Sequence, residues 1–177
     1  HWQLSLSFSV LRNGAHGQLA NDRWKFHKFG GSSLADADCF KRVAGLMIER
    51  RGERLGVVVS AMGGMTDALL NLAAQAERDD NAYEAGLNAI GERYAVTAKA
   101  LLGGEALVRI LDAWGQDAED IRDVLKAIAL VRSAPQRSRD IVAGYGEIWS
   151  ARLLAELLGA LEPERGGTWV DARQVIT

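Results

Sequence analysis

The chain has 177 residues, of which 48% are hydrophobic and 25% charged, with only 2 prolines. Such proportions describe a folded globular chain with one sizeable core, not a disordered or fibrous one. A formal net charge of −2 offers no basic excess, which points away from nucleic acid as a partner. The single cysteine, Cys39, provides neither a disulfide framework nor a cysteine zinc site, and it suits a reducing cytoplasm. No apolar run approaches the roughly 20 residues of a membrane span, and no basic leader precedes an apolar block, so no membrane partner is expected.

The chain opens on alternation: Trp2, Leu4, Leu6, Phe8 and Val10 alternate with polar neighbours, as in a half-buried strand. Arg12 to Gly17 follows as a turn, by its Asn13-Gly14 pair. Residues 1–23 are expected to be an extension or an appended remnant without a functional role. Trp24 to Phe29 then reads as a strand stopped by Gly30-Gly31. Ser32, Ser33 and Asp36 are suitable helix caps, and Phe40, Val43, Ala44, Met47 and Ile48 recur at helical spacing to about Arg51.

Leu55 to Ser60 is a continuous apolar, β-branched run, typical of a parallel strand buried on both faces. It breaks at Ala61-Met62-Gly63-Gly64-Met65, and a helix follows from Thr66. Tyr83 to Val131 reads as two or three helices, broken at Gly103-Gly104 and again near Gln116. A further helix is expected from Glu147 to about Leu161, with Ile148, Ala151, Leu154, Ala155 and Leu158 on its apolar face. Thr168-Trp169-Val170 looks like a third strand. Strands alternating with helices predict an α/β domain on a parallel sheet. Three strands fall short of the five or six of a doubly wound sheet, so the chain is expected to stop mid-domain.

Ligands of open parallel sheets bind beyond the carboxyl ends of the strands, and two glycine-rich loops leave strands there. The first is Lys28-Phe29-Gly30-Gly31-Ser32-Ser33. Its glycines let backbone amides approach an oxyanion, and Lys28 adds a mobile positive charge beside it. Equally, Gly-Gly after a strand can be a plain tight turn and Lys28 a solvated lysine. The loop is neither a Walker loop nor a dinucleotide fingerprint. The second, Ser60 to Asp67, has hydroxyls able to hold a carboxylate, although Thr66 taken alone reads better as a helix cap. Glu147, after Gly144-Tyr145-Gly146, reads either as a first-turn residue matched to the helix dipole or as the partner of a substrate ammonium group. His27, which alternates away from Lys28, and Cys39, which has no activating partner, are given no chemistry.

Together these segments resemble the aspartokinase family. Lys28-Phe29-Gly30-Gly31-Ser32-Ser33 is similar to its opening signature, and Val58-Val59-Ser60-Ala61 with Gly64 and Thr66-Asp67 to its second loop. Gly146-Glu147 with Ser150 and Leu153-Leu154 resembles its Gly-Glu helix, and Trp169-Val170-Asp171-Ala172-Arg173 the segment after it. The four motifs stand in the family's order across residues 25–173, in wording nearest to the bifunctional aspartokinase–homoserine dehydrogenases of the methionine branch. The resemblance implies a three-layer α/β/α sandwich of the amino-acid kinase (carbamate kinase-like) type, incomplete at its C-terminal end, with residues 24–177 as the front part of the catalytic domain. It implies transfer of phosphate from ATP, carried with Mg2+, to L-aspartate, the first step towards lysine, threonine and methionine. Lys28 would stabilise the moving phosphoryl group, Gly30, Gly31 and Ser32 would cradle the phosphates, Ser60 and Thr66 would place aspartate, and Glu147 would meet its ammonium group. No protein metal ligands are expected; a homo-oligomer is.

The family's later Gly-Gly-Ser-Asp-Tyr type motif and its substrate-gripping arginine do not occur in this sequence. The 177-residue chain alone is therefore expected not to complete the reaction. The rival readings are another amino-acid kinase, acting on a different small acid or nucleotide, and a non-catalytic interaction module with exposed apolar surface.

Overall fold

A computed structural model of the chain describes residues 7–11, 23–50, 52–78, 81–164 and 167–171. Four strands, β1 (Ser7–Leu11), β2 (Trp24–Phe29), β3 (Arg54–Val59) and β4 (Gly167–Val170), form one sheet in the order β2-β3-β1-β4. β2 pairs parallel with β3, Phe26 opposite Gly56 and Phe29 opposite Val59. β1 runs antiparallel to both of its neighbours, β3 and β4, so β2, β3 and β4 all point the same way. The expected all-parallel sheet is therefore mixed. The strand read at the start of the chain takes an inner position in it, while Trp2, Leu4 and the Asn13-Gly14 turn lie outside the described residues.

The sheet carries helices on one face. Phe29, Val57, Val59 and Trp169 share the face fixed by the pairing register. Val57 and Val59 are buried in the core, and Phe29 and Trp169 pack against it. On the opposite face Trp24 and Phe26 are 46% and 65% exposed, with their rings 6.3 Å apart. β3 was expected to be covered on both faces; among the described residues it is covered on one.

The helical layer consists of α1 (Ala37–Glu49), α2 (Met65–Glu77), α3 (Ala82–Leu101), α4 (Gly104–Val131) and α5 (Gln136–Leu161). Asp36 caps α1, its carboxylate accepting from the Cys39 amide at 2.9 Å, which satisfies one donor otherwise orphaned at a helix start. α4 runs unbroken through Gln116. The polar stretch there is a solvated face on which Glu119 pairs with Arg122, and such pairs support a helix rather than end it.

The main departure concerns α5. It begins at Gln136, just after Pro135, and not at Glu147, and it passes through Gly144 and Gly146 without interruption. Its apolar surface is not a single stripe, because Trp149, Leu153 and Leu157 are buried together with Ile148, Leu154 and Leu158. A helix apolar all round is a buried helix, and α5 packs between the sheet and α2 and α4. Its rotation is fixed by a polar contact with α4. Trp149 Nε1 and Arg152 donate to the Asp117 carboxylate at 2.9 and 2.8 Å, while the Arg152 guanidinium also lies 4.7 Å from the centre of the Trp169 ring.

Candidate functional site: two glycine loops and a half-buried glutamate

The two loops leave the carboxyl ends of the adjacent strands β2 and β3. Lys28 is exposed in the last turn of β2. Gly30 precedes a 3-10 turn over Gly31–Leu34, closed by the Ser33 amide donating to the Gly30 carbonyl at 2.9 Å. The loops are joined at their root, where the Ser60 amide donates to the Phe29 carbonyl at 3.0 Å. Ser60 thus sits beside the Lys28–Phe29 strand end.

The glycines have different tasks. A Cβ built on Gly31 would stand 2.9 Å from the Ala61 carbonyl oxygen, so its missing side chain is what lets the loops touch. A Cβ on Gly30 would meet nothing within 4 Å, which leaves open space over that peptide. Gly64 has φ 73° and stands at the N-terminus of α2 with no side-chain cap; that backbone favours glycine. Thr66, expected as the cap, is instead the second residue of α2 and exposed. Its hydroxyl is not spent on capping that end, because the chain turns into the helix through the left-handed glycine.

Glu147 comes to the same end of the sheet on α5. Its neighbour Gly146 packs on the second loop, since a Cβ there would be 2.8 Å from the Ala61 Cβ and 3.3 Å from Met65 Cγ. Glu147 lies in the interior of the long helix and not in its first turn, so the dipole-matching reading falls away. Burial raises its carboxyl pKa from the ordinary 4.5 to about 7, against the lowering effect of the nearby Lys28 ammonium. Glu147 Oε2 is buried with no hydrogen-bond partner. An unpaired buried carboxylate oxygen is costly, and a cationic ligand would relieve that cost.

Lys28, Gly30, Gly31, Ser32, Ser60, Thr66 and Glu147 therefore belong to one end of one sheet. Asp171, just past β4 and pointing the same way, is buried there as well; Ala172 and Arg173 lie outside the described residues. A cavity of about 280 Å³ opens beside the first loop, lined by Phe29, Ser32, Ser33, Cys39, Arg42 and Val43. One residue that the sequence did not mark is Arg93 of α3, whose Nη2 donates to the Gly63 carbonyl at 2.6 Å and to the Ala35 carbonyl at 3.3 Å. His27, read as structural, is half-buried on β2. Among the described residues no group of three or more His, Cys, Asp or Glu side chains is gathered as a metal site, and no helix is long and apolar enough to cross a membrane.

The chain belongs to the amino acid kinase family, whose model matches residues 23–171. Among curated proteins it is similar to the chloroplastic bifunctional aspartokinase/homoserine dehydrogenase 1 of Zea mays, 35% identical over 158 residues, which are 88% of this chain and 17% of that protein. It is also similar to bifunctional aspartokinase/homoserine dehydrogenase 2 of Escherichia coli, 32% identical over 94% of this chain and 19% of that protein. Among solved structures it resembles E. coli aspartokinase III in complex with aspartate and ADP, with TM-score 0.63 and 28% identity over 75% of this chain and 28% of that one. The chain is thus homologous to aspartokinases and spans about a fifth or less of the length of these bifunctional relatives.

Proposed function

We propose that this chain is the front part of an aspartate kinase catalytic domain, which converts ATP and L-aspartate into 4-phospho-L-aspartate and ADP. The observation that carries the reading is the meeting of both glycine loops with the half-buried Glu147, whose Oε2 is buried without a hydrogen-bond partner, at the carboxyl end of the sheet. E. coli aspartokinase III has been solved with aspartate and ADP and with lysine and aspartate, which supports the same small ligands here.

In this reading a side-chain carboxylate oxygen of aspartate attacks the γ-phosphorus of ATP, the bond from that phosphorus to the β,γ-bridging oxygen breaks, and ADP leaves. The two reactants are anions. At about 4 Å like charges repel by roughly 1 kcal/mol in water and several-fold more in a drier site. Lys28 offsets that repulsion at the phosphoryl group, and the backbone of Gly30, Gly31 and Ser32 lies against the phosphates. Ser60 and Thr66 orient the aspartate carboxylates. Glu147 in its ionised form accepts the substrate ammonium, which fixes aspartate from the end opposite the reacting carboxylate. Magnesium, which supplies charge neutralisation when bound, would come with the ATP phosphates rather than on protein ligands.

The exposed Trp24 and Phe26 have a place in this reading. A second helical layer over their face would complete the α/β/α sandwich of the family. A homo-oligomer in the cytoplasm fits the same reading. Substrate competition tests it: with the natural full-length polypeptide, ATP and magnesium, turnover should follow aspartate and not glutamate or acetylglutamate. Preference for another acid would move the protein to a different branch of the family.

A further inference from the structure

The two loops differ in partners but share one strap. Arg93 projects from α3, a helix of 20 residues, and a single nitrogen of its guanidinium donates to the carbonyl of Ala35 after the first loop and to that of Gly63 in the second. Gly63 is itself packed on the first loop, a built Cβ lying 3.4 Å from both Ala35 Cβ and the Gly31 carbonyl oxygen. The other nitrogen, Nη1, stands 4.0 Å from a Cβ built on Gly64, the left-handed residue just before α2.

α3 is held firmly at this level. Gly91 lies under Trp114 so closely that a Cβ would overlap the indole. Tyr94 is 1% exposed and donates to the Trp149 carbonyl at 3.4 Å, and Trp149 follows Glu147 by two positions on α5. One rigid helix therefore ties the first loop, the second loop and the helix of Glu147 into a single frame.

We infer that Arg93 is a positioning residue for phosphoryl transfer, locking the loop that carries the phosphates to the loop that carries the acceptor carboxylate. The inference rests on the aspartate kinase reading. Each loop keeps its own ligand contacts without Arg93, so binding of each substrate survives its loss, whereas the alignment of one against the other does not. Misplacing reacting groups by about 1 Å costs rate on the order of a hundredfold.

The test uses the natural full-length polypeptide with Arg93→Met, which keeps the apolar stem and removes the donors, and Arg93→Ala, which leaves room for added guanidinium ion. Arg93→Met should lower kcat by about tenfold or more while KM for aspartate and for ATP each move by less than about threefold. Millimolar guanidinium should restore part of the kcat of Arg93→Ala. Unchanged kcat overturns the inference. So does a parallel fall of kcat, affinity and melting temperature that guanidinium does not reverse, because that is the mark of a merely structural arginine. If the wild-type polypeptide itself makes no acyl phosphate, the kinase reading fails, and amide exchange decides the strap separately. Faster exchange over both 31–35 and 61–65 in Arg93→Met upholds the lock, and unchanged exchange removes it.

Discussion

Gly146 on α5 lies against Ala61 in the second loop so closely that a Cβ on the glycine would stand 2.8 Å from the Ala61 Cβ. That contact sets how far Glu147 reaches into the site. In Gly146→Ala the gain in helix propensity, about 1 kcal/mol, opposes an overlap with an atom fixed to the backbone, typically about 1–3 kcal/mol. Leu69 and Met65 close the other sides, so the overlap wins. Denaturant titration should show a net loss of about 1–2 kcal/mol; equal or higher stability would mean that the loop yields freely.

The Asp117 carboxylate holds both the Trp149 indole N–H and the Arg152 guanidinium, with side chains of Asp117 and Arg152 only 14% and 15% exposed. Asp117→Ala leaves a buried donor and a nearly buried cation unpaired. The expected cost is about 3 kcal/mol, read from the denaturation midpoint. Asp117→Asn, which retains an acceptor, should lose clearly less.

Glu147 makes stability depend on pH in a direction opposite to that of most carboxylates. Its folded pKa of about 7 lies above its ordinary 4.5, so the folded state holds its proton more tightly than the unfolded state. The stability this provides is fully present below about pH 4.5 and is lost as pH rises through about 7. Glu147→Gln should abolish this component and be more stable at pH 8, by an amount on the order of 1 kcal/mol once partial exposure is discounted. Aspartate affinity should rise with pH through the same window, because the ammonium needs the ionised carboxylate. A flat profile in calorimetric titration would remove Glu147 from that role.

Phe26 tests the open face of the sheet. In the 177-residue chain its ring is 65% exposed, and an exposed apolar group of that kind promotes association. Phe26→Lys should reduce self-association in sedimentation and change stability by less than about 0.5 kcal/mol. The same change in a polypeptide that covers this face should cost several-fold more.

Much of this architecture was legible in the residues. β2 and β3 showed as alternation and as a β-branched run, and the break at Gly103-Gly104 separates α3 from α4 as expected. Asp36 was recognisable as a cap because its side chain acts on its own neighbours. What stayed hidden depends on partners distant in sequence. Gly144 and Gly146 look like helix breakers in sequence, yet α5 extends back through both to Gln136, with Gly146 packed against Ala61 and Met65. The antiparallel insertion of β1 between β3 and β4 has no local signature. Arg93 could not have been found from its neighbours, since it acts on two backbone carbonyls at distances of 30 and 58 residues along the chain. Motif wording singled out Lys28, Ser60 and Glu147, which the fold brings to one end of the sheet, while the partial burial that makes Glu147 unusual is a product of packing.

The most direct test of the account is trapping of the acyl phosphate as a hydroxamate, with the natural full-length polypeptide, ATP, magnesium and aspartate. Aspartate-dependent hydroxamate is expected, falling by about a hundredfold or more in Lys28→Ala, a variant that still folds because Lys28 is exposed. Absence of hydroxamate from the folded wild-type polypeptide, or undiminished product from Lys28→Ala, would contradict the aspartate kinase reading.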